Sequence, residues 1–376
     1  MLSGVTRKTF ARTEFFSDWT RTGRLLTERA GTVISLFGAS GTVCMKRRTL
    51  KWQLMLLLTA LASAVGSARA QNTLPSLKRI GVLNSFACPV TADSPSRRRL
   101  AELGWVEGKN FVYDCVSAVG RLEKIEQLAA ELVARHPDVI GANPVPFVRA
   151  LKLATTTIPI VMLATPDPVG TGLVTNLARP EANVTGIAWF GFDIMPKRVE
   201  LLREVLPQMQ RLAIIYSAQA ADPKVLELLE ANATIAAKQF GISFQIFRPA
   251  VPEDYDRIFN QLFEQHFDAA YIQPNALFQQ NYMRVAELAQ RYRVPTMGDD
   301  PFSARVGLLL GYGGDFFQDL VRYAEYIDRI LRGAKPGELP VEQATKVQLA
   351  VNLKTARTLG LMIPPGLLAR ADEVIE

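Results

Sequence analysis

The chain is expected to fold as an α/β protein of two lobes, each built on a mostly parallel sheet. Three observations carry that expectation. Short apolar runs rich in β-branched residues alternate with stretches of helical period, the pattern that βαβ units leave in a sequence. The runs are apolar almost without a break, as strands covered by helices on both faces must be. The chain has 376 residues, 48% of them hydrophobic, more than one compact core uses, and its later half echoes its earlier half.

The first series runs KRIGVLN (78–84), NFVYDCV (110–116), a helix near 121–135, DVIGA (138–142), a helix from about 146, and IPIVML (158–163). The second runs RLAIIYS (211–217), a helix near 224–239, ISFQIF (242–247), a helix near 254–265, DAAYIQP (268–274), a helix near 278–292, and VPTMG (294–298). HPDVIGANP at 136–144 leads through a helix to IPIVMLATPDP at 158–168, and HFDAAYIQPN at 266–275 leads through a helix to VPTMGDDP at 294–301. Between the series, NVTGIAWFGFD (183–193) carries no long helical pattern and reads as a crossing between sheets. After them come GLLLGYGG, an amphipathic helix ended by Gly333, KVQLAVNL (346–353) and two short helical stretches. The expected division is 71–190 plus about 307–335 for the N-terminal lobe, and 191–306 plus about 336–376 for the C-terminal lobe.

The formal charge of +7 invites a nucleic-acid or membrane reading until its location is considered. Residues 1–70 hold 11 of the 43 Lys and Arg and 3 of the 36 Asp and Glu, so residues 71–376 carry a net charge of −1. From Met45 the chain reads as a basic start, an apolar run from Trp52 to Val65, and Ala68-Arg69-Ala70, the order of a secretory signal peptide cleaved after Ala70. The apolar run is too short for a membrane span, and residues 1–44 read as a mis-assigned start or an extension. Export places Cys88 and Cys115 where thiols oxidise, and the two readings are a disulfide or a pair of small unpaired hydrophobes.

Catalytic signatures are absent. His136 and His266 stand at matching helix-to-strand junctions and read as structural. There is no metal-ligand spacing, no P-loop and no nucleophile elbow, and Gly311-x-Gly313-Gly314 is too loose for a dinucleotide fingerprint. Asp299-Asp300 reads as ligand-amine contact or helix capping before catalysis. Arg97-Arg98-Arg99 reads as a solvated helix face. No cofactor is expected.

The stretches RIGVLNS (79–85), ELGWVEGKN (102–110), LAAELVARHPDVI (128–140) and ATTTIPIVMLATPDPVGTGLV (154–174) are family-like, as are ARPEANVTGI (178–187) and PKRVELLREVLP (196–207). So are RILRGAKPGELPVEQATKVQLAVNLKTARTLGL (329–361) and IPPGLLARADEVIE (363–376). Through them the chain resembles the ABC-transporter substrate-binding proteins related to tryptophan- and tyrosine-binding components, of the type I periplasmic binding fold. The resemblance implies two Rossmann-like lobes joined by three crossovers, a small molecule held between them, and an ABC permease and ATPase as partners.

Ligands of open parallel sheets bind outside the carboxyl ends of the strands. That rule nominates Ser85, Asn143, Val145, Pro146, Thr165, Asp167, Ser217, Asp222, Gln273, Asn275, Asp299 and Asp300, with a ligand carboxylate suiting the helix N-terminus opened by Pro146. Phe190, with Trp189 and Phe192, is placed to stack on an apolar ligand body. Val145 and Phe147 depart from the smaller residues usual in the family and are expected to alter the cleft. The function expected is capture for an ABC importer by a soluble periplasmic monomer that binds no nucleic acid. The alternatives are a periplasmic sensor subunit and a secreted α/β enzyme.

Overall fold

Parallel neighbours in a sheet need a crossover between successive strands, and here helices supply it. The computed structural model describes residues 77–376 apart from 86–87, 89–92, 120, 190, 219–221, 274 and 344–345. All of these belong to one compact unit, Thr73–Glu376. The expectations for residues 1–44, for the signal peptide at 45–70 and for Phe190 lie outside the described residues.

The first series comprises β1 (Lys78–Asn84), α1 (Pro95–Glu102), β2 (Phe111–Ser117), α2 (Ile125–Val133), β3 (Val139–Asn143), α3 (Val145–Ala154), β4 (Ile160–Pro166) and β5 (Val184–Trp189). The second comprises α4 (Met195–Val205), β6 (Arg211–Ile215), α5 (Pro223–Phe240), β7 (Ser243–Phe247), α6 (Glu253–Glu264), β8 (Ala269–Ile272), α7 (Ala276–Arg291), β9 (Thr296–Gly298), α8 (Pro301–Arg305) and β10 (Leu310–Gly313). Then follow α9 (Phe316–Leu331), β11 (Glu342–Gln343), β12 (Gln348–Asn352), α10 (Leu353–Leu359), α11 (Pro365–Arg370) and β13 (Glu373–Ile375).

One sheet has the order β11-β5-β4-β3-β1-β2, the other β13-β12-β10-β9-β8-β6-β7. Every pairing is parallel except β10 with β12. The chain passes between sheets three times: from β5 to β6, from β10 to β11, and from β11 to β12. The fold class is thus the two-lobed α/β architecture of type I. Two boundaries differ from expectation, near 307 and near 336. Leu310–Gly313 pairs in the second sheet, with β9 and β12, whereas Glu342–Gln343 pairs with β5 in the first. The apolar, Gly-rich run at 307–314 carries no mark of which sheet will receive it, so the crossing comes after Gly313 rather than near 307.

The repeat extends to single atoms. His136 and His266 both hold positive φ, 50° and 55°, to turn the chain from helix into strand. Two residues on, the Asp138 carboxylate accepts the Arg79 N–H at 2.8 Å, and the Asp268 carboxylate accepts the N–H groups of Gln210 and Arg211 at 2.8 Å each. Each acid ties the first strand of its sheet to the third.

Helix α9 returns to the first lobe. Its apolar face, with Tyr323, Tyr326, Ile327 and Ile330, is buried against Ile80, Val139, Val161 and Ile187 of the first sheet. Gly141 in β3 lets it approach: a Cβ there would stand 1.5 Å from the Tyr323 hydroxyl. Because overpacking a close-fitted core displaces neighbours, Gly141→Ala is expected to cost about 1–3 kcal/mol, read as a lowered denaturation midpoint with an unchanged m-value.

Candidate functional site

The strand orders decide where the site lies. In each sheet the first strand of the series sits between the second and the third, so successive connections leave in opposite directions and open a crevice at the strands' carboxyl ends. The crevices of the two sheets meet in one cleft, whose 920 Å³ includes the open mouth. Ser85, Asn143, Pro144 and Val145 line it from the ends of β1 and β3. Tyr216, Gln273, Asn275 and Ala276 line it from the ends of β6 and β8.

Of the nominated residues, Ser85, Asn143, Val145, Gln273, Asn275, Asp299 and Asp300 line this cleft. Pro146, Thr165, Asp167, Ser217 and Asp222 do not line it, although Ala164, Pro166 and Tyr216 beside them do. Thr165 and Ser217 are fully buried. Asp167 is exposed and builds its own turn, its carboxylate accepting the Gly170 N–H at 2.8 Å. Asp222 caps α5 at Lys224 and pairs with Arg149 at 3.0 Å. Phe147 is fully buried within the hydrophobic core rather than on the cleft, so of the two departures only Val145 reaches the site. The triplet on α1 is partnered in part: Arg97 pairs with Glu107, and Arg99 with Glu102 and Glu325.

The helix that opens beside β3 is a poor anion receptor. Pro144 and Pro146 have no N–H, and the Phe147 N–H turns back onto the Pro144 carbonyl at 3.0 Å. The other helices that begin at the cleft carry their own caps. Asn275 accepts from Leu277 and Phe278, Asp300 from Ser303, and Asp315 from Phe317 and Gln318.

The wall is aromatic. Trp189 packs edge-on against Phe192 at 5.6 Å, and Phe192 against Tyr216 at 6.2 Å. Phe316 adds a further ring from α9. Arg198 of α4 lies beneath, fully buried, and donates to the carbonyls of Tyr312 (3.1 Å) and Gly191 (3.0 Å), one at each of two passages between sheets. Its guanidinium carbon stands 5.7 Å from the Trp189 ring and 5.2 Å from the Tyr271 ring. One terminal nitrogen has no hydrogen-bond partner.

Sequence reasoning missed Asp319. It lines the cleft from the first turn of α9 and is 2% exposed. Burial pushes its carboxyl up to about 7; Arg322 opposes and Asp315 reinforces that shift. Asp299 is held well above the usual carboxylate range by burial, against the pull of the Arg198 charge. Asp300 is raised by burial too, while its bonds from Ser303 draw it back. The signal for Asp319 was available, since an acid stands in the apolar stripe that continues through Tyr323, Tyr326 and Ile330. Arg198 breaks the stripe of α4 in the same way, among Met195, Val199 and Leu202.

Cys88 and Cys115 form a disulfide with Cα atoms 5.9 Å apart, tying the segment after β1 to β2. Among the described residues, no group of three or more His, Cys, Asp or Glu could hold a metal ion. Nor is any helix among them long and apolar enough to cross a membrane.

A carboxyl at about 7 in the folded chain and near 3.8 when unfolded makes the folded state the better proton binder between those values. Its stability contribution is therefore lost as pH climbs through that window. Asp319→Asn removes the penalty, so the variant is expected to melt above the parent at pH 8 and level with it at pH 3.5 or below. An equal gain at both pH values would refute the assignment.

Comparison with known proteins agrees with this geometry. The model of the family described as ABC transporter substrate binding protein matches residues 97–375. A tyrosine-binding protein of Clostridioides difficile (strain R20291) is 24% identical over 270 residues, 70% of this chain and 75% of that one. A crystal structure of a conserved domain protein from Vibrio cholerae is 29% identical with a TM-score of 0.69, covering 79% of this chain and 99% of that one. The structure of an ABC domain in complex with L-Trp from Streptococcus pneumonia is 24% identical with a TM-score of 0.69, covering 80% of this chain and 100% of that one. The matched family consists of solute-binding proteins rather than enzymes, and this chain belongs to it: it is an ABC transporter substrate binding protein.

Proposed function

We propose that the protein is the periplasmic solute-binding component of an ABC importer, which captures a small molecule by closure of its two lobes and delivers it to a permease. One observation carries the reading: a single cleft is lined by the strand ends of both sheets, with Ser85 and Asn143 from one and Tyr216 and Gln273 from the other. A ligand seated there touches both lobes, so it binds the closed arrangement better than the open one, and that difference in affinity drives closure. Three passages of chain between the sheets form a short hinge.

Two features support that location. The segment 45–70 has the order of a cleavable signal peptide, and the Cys88–Cys115 disulfide suits an oxidising compartment. The ligand is a small molecule bearing an amine, amino acids included, in keeping with the tyrosine- and tryptophan-binding relatives. The protein acts as a monomer with an ABC permease and ATPase as its partners.

The experiment is thermal unfolding of the purified protein against amino acids, amines, small carboxylates and nucleosides. A ligand at 100 times its Kd adds about 2.7 kcal/mol to stability, and the expected result is a rise of several degrees with one chemical class. The Gln273 side-chain oxygen is buried without a hydrogen-bond partner, so the fold does not depend on it. Gln273→Ala is expected to keep the unliganded melting temperature and to reduce the ligand-induced rise. A panel without any shift contradicts the reading.

A further inference from the structure

Asp222 does not line the cleft, yet it reaches across to the other lobe. It opens α5 behind β6 of the second sheet, and Arg149 stands in α3 behind β3 of the first. The Arg149 Nε donates to the Asp222 Oδ2 at 3.0 Å, and a terminal nitrogen of the guanidinium lies 3.0 Å from the same oxygen. Each partner is fixed to its own lobe. The Asp222 Oδ1 accepts the Lys224 N–H at 3.0 Å. On the other side, the terminal nitrogen of Arg149 also donates to the Thr171 carbonyl at 2.9 Å. Thr171 belongs to the turn that Asp167 builds after β4, where the Asp167 carbonyl accepts the Thr171 N–H at 2.9 Å and its hydroxyl at 2.8 Å.

The place of this ion pair gives it leverage. The passages between sheets leave from β5, β10 and β11, whereas Arg149 follows β3, two places from β5 in its sheet, and Asp222 follows β6, three places from β10 in the other. When lobes rotate about a hinge, a point moves by the angle times its distance from the hinge, so a contact set away from the passages parts early in opening. The pair also lies directly behind the lining. Val145, one turn before Arg149 on α3, and Val225, one turn after Asp222 on α5, both line the cleft, and neither Arg149 nor Asp222 does. The Asp222 side chain is 5% exposed and that of Arg149 38%, so the acid is shielded from solvent and salt and its hold on the guanidinium is stronger than that of a surface pair.

We propose that Arg149 and Asp222 form a latch between the lobes, which closes as the cleft closes, holds the closed arrangement, and sets the affinity for ligand without touching it. The proposal rests on the reading of the cleft as a site that closes over its ligand, and deepens it. Apparent affinity scales with the population of the arrangement competent to bind, so whatever the latch adds to that population it adds for every ligand alike. Arg149 and Asp222 are therefore positioning residues, and the Asp167 turn is the mount that aims Arg149 across the cleft.

The test reads the distance between the lobes. Nitroxide labels on Glu131→Cys in α2 and Lys238→Cys in α5, exposed positions on opposite lobes, report that distance by pulsed electron double resonance in the purified protein. Arg149→Met keeps the apolar stem and removes the charge, and it is expected to shift the ratio of longer to shorter separations by about fivefold. Asp222→Asn retains an oxygen to cap Lys224 and is expected to shift the ratio in the same direction, which keeps the proposal open to refutation should the first variant fail to fold. A role confined to stability would lower the melting temperature and leave the separation unchanged. Distributions identical to the parent's, or a parent that shows only the longer separation, overturn the latch. In calorimetry with tyrosine and tryptophan as probes, each one that binds the parent is expected to bind Arg149→Met about fivefold more weakly, with their order unchanged. Unchanged affinity, or a loss confined to one of two binding probes, also overturns the latch and leaves the capture reading standing. Silence of both probes counts against amino acids as the captured class, and the distance measurement then decides the latch alone.

Discussion

Arg198 is the constraint on which the cleft depends. A fully buried guanidinium is costly unless hydrogen bonds and nearby charge offset it, and this one, with one terminal nitrogen unpartnered, is held where the chain changes sheets. It bonds Gly191, at the start of the first passage, and Tyr312, just before the second, so one side chain ties two hinge segments together. Gly313 belongs to the same arrangement, because a Cβ there would fall 1.8 Å from the Asp299 carbonyl and 3.3 Å from the Arg198 guanidinium. The aromatic wall leans on that cation through Trp189, and the Asp299 carboxyl feels its field.

The strand orders supply the rest. Placing the first strand of each series inside its sheet leaves a crevice at the carboxyl ends, and two such crevices facing each other make a cleft with two independent walls. The first wall contributes Ser85, Asn143 and Asp319, the second Gln273, Asn275, Asp299 and Asp300.

Much of this was legible in the residues. The echo of HPDVIGANP in HFDAAYIQPN reported a duplicated unit, and the positive φ of His136 and His266 shows why the two stretches match so closely. Apolar strands followed by Asn, Gln or Asp marked the cleft, because a strand's carboxyl end is where polar groups first meet solvent. Two features were not legible, and a third, Asp319, was marked only as an acid within an apolar helical stripe. Val145 and Phe147 both follow the helix start, but two residues are about 200° apart on a helix, so one faces the cleft and the other the core. The polar residues Thr165, Ser217 and Asp222 share strand ends with lining residues yet serve the fold, and only packing decides which of two neighbours turns inward. Asp319 lies some 130 residues beyond the strand ends of its own lobe, on a helix that returns through the hinge.

The central claim is that a ligand seated in this cleft touches both lobes at once. The most direct measurement is the crystal structure of the protein with its tightest ligand. The account predicts density bounded by Asp319 on one side and Gln273 and Asp299 on the other, with the lobes no further apart than in the unliganded protein. Ligand density confined to one lobe, or placed away from the strand ends, would contradict it.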